Sequence, residues 1–154
     1  MQIEMKISLD HDGFLRRECP HCVRQFKWHH GPANEEAEQA PAPTAYHCPL
    51  CGRPAAVDAW LTREQVEYGK NLLATVATRE IKQQLGDSIK TVNSKYLKIE
   101  VKFDADELPA LAPLTEPDDM VIVTSPCHSY EPVKVPEDET GPFHCLVCGE
   151  AFAV

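Results

Sequence analysis

The residues able to do chemistry are concentrated in four short stretches that hold all seven cysteines of the chain. Cys19-Pro20-His21-Cys22 and Cys48-Pro49-Leu50-Cys51 are two Cys-x-x-Cys pairs, 25 residues apart. Four thiolates delivered as two pairs suit a tetrahedral structural zinc, which takes soft sulfur donors and closes its shell with protein ligands. The two-residue spacer lets a tight turn aim both sulfurs at one point about 2.3 Å away.

A second, less regular set lies at the C-terminal end. Phe143-His144-Cys145-Leu146-Val147-Cys148-Gly149 repeats the order of Tyr46-His47-Cys48-Pro49-Leu50-Cys51-Gly52. Upstream of it, Ser125-Pro126-Cys127-His128 stands where a complete Cys-x-x-Cys is expected. Aligning the prolines sets Ser125 opposite Cys19 and His128 opposite Cys22. The chain reads as a duplicated zinc module whose second copy has lost a cysteine and gained a histidine. Cys127, His128, Cys145 and Cys148 are the expected second ligand set, with His144 or a water competing with His128 for the fourth position. For His47 a place in the strand beside the knuckle is expected, since four cysteines already close the first site.

The strand–knuckle–strand order around Cys19, and the glycine that follows the second pair, resemble zinc-ribbon proteins with rubredoxin-like knuckles. The resemblance covers about 1–57 and, more loosely, 120–154, and it implies a scaffold held by two structural zinc ions. The dipeptide inside Cys19-Pro20-His21-Cys22 also resembles that of strongly oxidising thioredoxin-like disulfide oxidoreductases. There a helix dipole activates the thiol. Here the residues after Cys22 pattern as a strand, and no βαβ unit surrounds them. Catalytic zinc would need other partners. Neither the His-x-Glu with Pro-Cys-x-x-Cys of deaminases nor the His-Glu-x-x-His of metalloproteases is present. A metal-dependent enzyme at the irregular second site and a dithiol oxidoreductase therefore stand last among the readings.

Elements must position these groups. Ile3–Leu9 alternates and predicts a half-buried strand; Phe14–Glu18 predicts a return strand and Val23–Trp28 an outgoing one. Residues 31–45 are polar, acidic and rich in Pro and Ala, and predict a flexible insertion. Thr62-Arg63-Glu64-Gln65 is a capping box that opens a helix. Its apolar positions Val66, Leu73, Val76, Ala77, Ile81 and Leu85 share a face expected to pack on the protein's own core, with Gly86 as its stop. Strands follow at 96–103, 120–124, 130–135 and 151–154. The expected class is α+β: an N-terminal ribbon (1–57), an amphipathic helix and connector (58–92), and a C-terminal degenerate ribbon (93–154).

Charge is unevenly spread. Residues 1–103 carry 14 Lys/Arg against 13 Asp/Glu, whereas 104–154 carry Lys134 alone against 11 acids. Such a surface repels phosphate backbones over about 8–10 Å, so only a local patch could bind nucleic acid. Arg16, Arg17, Arg24, Lys27, Phe26 and Trp28 interleave basic and aromatic groups around the first knuckle and are the candidate patch, for single-strand stacking or for a partner surface. No signal peptide or span of about 20 apolar residues is seen, and cysteines in knuckles suit a reducing compartment, so a cytoplasmic protein is expected. The composite expectation is a non-catalytic zinc-binding adaptor, with two zinc ions and another protein as partner. A nucleic-acid-binding ribbon is the alternative; no membrane or small-molecule substrate is indicated.

Overall fold

The computed structural model describes residues 4–92 and 111–154, with side chains of 86–92 left aside. The predicted strand 96–103 lies outside the described residues. Strands and helix coexist as an α+β fold built on one mixed-origin sheet. Strands β1 (Phe14–Glu18) and β2 (Gln25–His29) form an antiparallel hairpin across the first knuckle; β5 (Met120–Val123) and β6 (Val133–Pro136) form another across the third. The inner strands β2 and β6 pair antiparallel, giving the order β1-β2-β6-β5. The two ribbon-like stretches thus share a sheet.

The join has approximate two-fold symmetry. Lys27 stands directly opposite Lys134, and Trp28 opposite Val133. An axis through the lysine pair carries each hairpin onto the other, placing Val121 at the position of Leu15 and Ile122 at that of Arg16. The second hairpin is one residue longer between equivalent pairs: residues 124–132 separate Val123 from Val133, where residues 18–25 separate Arg17 from Phe26.

Two like charges facing each other in a sheet are destabilising unless countered. Both lysines are buried, and the counter-charges come from the loops crossing that face. Asp10 Oδ2 accepts from Lys134 Nζ at 2.8 Å and from Lys27 Nζ at 3.2 Å. Asp12 pairs with Lys134 at 2.6 Å; Glu116 and Asp119 pair with Lys27 at 3.0 and 3.1 Å. The other Asp10 oxygen accepts the amides of Asp12 and Phe14. Burial pushes the Asp10 carboxyl up, but hydrogen bonds from Lys134, the Phe14 amide and Lys27 outweigh it and hold it at about 2.

The opposite face is apolar. Phe26, Trp28, Val123, Val133 and Val135 meet Trp60, Leu50, Phe143 and Leu146 in one core that includes Cys19 and Cys48. Trp60 sets its ring edge-on to Phe26 and Trp28, at centroid distances of 5.7 and 6.0 Å.

Several expectations change. The alternation of Ile3–Leu9 does not yield a strand over the described residues 4–9. Ile7 makes one parallel bridge to Leu114, while Asp10 turns the chain into β1 instead. The insertion at 31–45 carries a short helix α1 (Glu35–Gln39), because Asn34 caps it by accepting the Ala37 amide at 2.9 Å. Helix α2 (Arg63–Val92) opens on the capping box, with Gln65 N–H donating to Thr62 Oγ1 and Thr62 N–H to Gln65 Oε1. It runs through Gly86 to Val92, so that glycine does not stop it. Its apolar face does not pack on the core: Leu73 and Ile81 are more than half exposed, and Val66 and Leu85 are exposed too. Its first turn is anchored by Gln65 Nε2 donating to the Arg16 carbonyl. No described helix is long and apolar enough to cross a membrane.

Candidate metal centres

Each Cys-x-x-Cys turn is built by backbone hydrogen bonds that aim its sulfurs inward. In the first knuckle Val23 N–H returns to the Cys19 carbonyl, and the His21 and Cys22 amides point at Cys19 Sγ. Closing this turn puts Val23 at φ 60°, a left-handed conformation that a β-branched residue rarely takes. In the second and fourth knuckles glycine takes the closing position: Gly52 N–H bonds the Cys48 carbonyl and Gly149 N–H the Cys145 carbonyl, both at 2.8 Å. Strands β3 (Ala45–His47) and β4 (Pro54–Ala56) flank one of these, and β7 (Phe143–His144) and β8 (Ala151–Phe152) flank the other.

These two knuckles dock reciprocally. His47 N–H donates to the Leu146 carbonyl at 2.8 Å, and His144 N–H to the Pro49 carbonyl at 2.9 Å. The ring of His144 lies where a β-carbon on Gly52 would come within 2.7 Å; the ring of His47 lies 2.5 Å from the same position on Gly149. Both glycines hold φ above +70°. Each is therefore required twice, by its backbone conformation and by the neighbouring ring. His47 and His144 are docking residues, and their Nδ1 atoms are buried with no partner.

Cys19, Cys22, Cys48 and Cys51 converge, all four sulfurs within 4.8 Å of one another. Cys19 and Cys51 are 3.7 Å apart, Cys22 and Cys48 3.8 Å. Sulfurs bound tetrahedrally at about 2.3 Å stand about 3.8 Å from each other, so the spacing fits a zinc ion. It is far beyond the about 2.05 Å of a disulfide, and all seven cysteines are free. Burial raises the Cys22 thiol, but the Arg24 amide and guanidinium, with Cys19 and Cys51, bring it down to about 7.

Cys127, His128, Cys145 and Cys148 form the second group, also within 4.8 Å. His128 presents Nδ1, 3.3 Å from Cys145 Sγ, and Cys127 lies 3.5 Å from Cys148. His144 is not in the group. Neighbouring side chains diverge in a strand, yet Cys127 and His128 converge here because both lie in the turn between β5 and β6. Ser125 fills the place of Cys19. Its Oγ accepts the His128 amide at 3.3 Å, as Cys19 Sγ accepts that of Cys22, and it donates to Cys145 Sγ at 3.3 Å. Burial raises the Cys145 thiol, but the Ser125 hydroxyl and the Cys148 and Val147 amides outweigh it and set it at about 6. The serine hydrogen-bonds the group from behind, and Cys127 takes the place among the candidate ligands that Cys19 holds in the first group. The proline alignment of the sequence shows the substitution; the extra residue of the hairpin, which falls after His128, needs the strand register.

The basic–aromatic patch does not form a surface. Phe26, Lys27 and Trp28 are buried. Arg16 is bound to Glu116 and Asp119 at 2.9 and 2.6 Å. Arg17 lies 4.4 Å over the Trp28 ring, and burial lowers it to about 10. Arg24 alone remains well exposed, bound to Glu139 and the Leu50 carbonyl. Alternation in β2 sent Phe26 and Trp28 to the apolar face and Lys27 to the acidic one, leaving no ring free to stack on a base.

The two clusters are consistent with zinc-ribbon-like knuckles. Comparison with protein-family models, with curated proteins and with solved structures returns no match.

Proposed function

We propose that this chain is a non-catalytic zinc protein in which two metal-held knuckle pairs, docked back to back on one sheet, form a rigid body that engages a protein partner. The observation that carries this reading is the closure of both donor sets. Four protein atoms at tetrahedral spacing leave a zinc ion no position for substrate or water. Bound there, zinc would tie β1–β2 to β3–β4 and β5–β6 to β7–β8, supplying order that a core of this size supplies poorly. The burial of Phe26, Lys27 and Trp28 removes what a nucleic-acid reading would rest on.

The test is purification from the native host, with elemental analysis and identification of what accompanies the protein. The reading predicts two zinc ions per chain and a protein that co-purifies in a metal-dependent way, with no nucleic-acid affinity at physiological salt. A hydrolytic activity lost in Cys127→Ser while the fold survives would replace it with an enzyme at the second site. Glu150, beside Cys127 on a cavity of about 260 Å³, would be the first residue to examine in that case.

A further inference from the structure

The approximate two-fold axis makes each half a template for the other, and the halves differ at their outer edges. The outer edge of β1 is covered by the chain itself. Glu18 N–H donates to the Trp60 carbonyl at 3.0 Å, and the Arg16 carbonyl accepts Gln65 Nε2 at 3.0 Å. Residues 60–65 run antiparallel to β1 there, with Trp60, Thr62 and Gln65 buried, and Leu15 on β1 is 5% exposed. The equivalent edge belongs to β5. Among the described residues nothing bonds the outward Ile122 carbonyl or Thr124 amide. Val121, the counterpart of Leu15, is 42% exposed, and Ile122 is 52% exposed. Unpaired backbone beside exposed aliphatic side chains is a ready template for strand addition.

Resting on the reading above, we infer that the β5 edge is where the protein partner binds. The occupant is an extended segment of that partner with an aromatic residue followed by basic ones. The aromatic residue takes the part of Trp60, its carbonyl accepting the Thr124 amide and its ring covering Val121. Following the 60–65 template, the segment's C-terminal end reaches the Met120 end of β5. Exposed Asp118, Glu137 and Asp138 flank that end, because Met120 pairs with Pro136. Acidic residues there favour lysine or arginine after the aromatic anchor. A basic peptide suits this acidic end better than a second copy of this chain, whose net charge is −9.

The probe is a synthetic peptide of residues 58–66 with two lysines added at its C-terminus, titrated into the zinc-loaded full chain and followed by amide resonances and hydrogen exchange. In the free chain the Thr124 amide should exchange at least tenfold faster than that of Glu18. The peptide should slow it, shift Val121 and Ile122, and lose at least tenfold in affinity against Val121→Glu or on replacing its tryptophan by alanine. A Thr124 amide as protected as that of Glu18 at low protein concentration would mean the chain covers its own edge, and would overturn the inference. Protection that grows with protein concentration would assign the edge to a second copy, and would overturn it too. So would absence of binding up to about 1 mM. A metal-dependent partner whose capture is indifferent to Val121→Glu would leave the zinc-scaffold reading standing and this inference refuted.

Discussion

The two candidate metal centres share one arrangement and differ in depth. In the first, Cys19 and Cys48 lie in the apolar core beside Phe26 and Trp60, so the ion would sit against the part of the molecule that folding buries. In the second, Cys127 and Cys148 are exposed and only Cys145 is deeply buried. The residues of the knuckle account for the difference: Cys127 stands at the exposed position of His21, His128 at that of Cys22, and Ser125 at the buried position of Cys19. Two knuckles at symmetric places in one sheet thus bring four donor atoms together from different residues of the turn.

The largest effect should separate the two centres directly. Structural zinc contributes about 10–16 kcal/mol in small domains, more than the about 5–15 kcal/mol by which domains are stable. Cys48→Ser should therefore abolish the cooperative fold, seen as collapse of dispersed amide resonances. Cys127→Ser should leave a folded chain that binds one zinc. Equal loss from both substitutions would break the contrast.

The lysine pair at the axis comes next. Asp10→Asn leaves Lys27 and Lys134 buried without the carboxylate they share, and should cost about 3–5 kcal/mol in urea unfolding. Asp12→Asn, whose side chain is half exposed, should cost less than about 1 kcal/mol. The Asp10 carboxyl sits lower folded than unfolded. Its contribution is therefore full above about pH 4 and fades as pH falls toward 2, so the difference between wild type and Asp10→Asn should shrink over that window.

Symmetry of the knuckle docking predicts matched, smaller effects. Gly52→Ala and Gly149→Ala each force a side chain into left-handed backbone and into a histidine ring, and each should cost about 2–4 kcal/mol. Gly31→Ala, with similar φ and open space around it, should cost about 1 kcal/mol. Unequal values at Gly52 and Gly149 would show that the docking is less symmetric than its hydrogen bonds. The smallest effect concerns the knuckle that lacks a glycine. Val23→Gly relieves left-handed strain at an exposed position, offset by greater freedom of the unfolded chain. It should raise stability by about 0.5–1 kcal/mol, read from the thermal midpoint.

Spacing made the cysteines legible, because a metal constrains ligands locally and Cys-x-x-Cys records that constraint within four residues. The capping box at Thr62–Gln65 was legible for the same reason. What escaped was set by distant contacts. The basic residues of β1 and β2 looked like a binding surface until Asp10, Glu116 and Asp119 were found lying over Lys27 and Arg16, partners up to about a hundred residues away in sequence. Alternation in Ile3–Leu9 and the apolar positions of α2 promised packing that depends on a neighbour no local pattern names. Two ribbons also cannot be told from one shared sheet until β2 is seen to pair with β6.

X-ray absorption at the zinc edge, together with elemental analysis of folded protein, tests the central claim most directly. The structure predicts two zinc ions per chain, sharing seven sulfur ligands at about 2.3 Å and one nitrogen at about 2.0–2.1 Å. Folded protein without stoichiometric metal, or a zinc shell with oxygen in place of the Cys127 or His128 donor, would contradict it.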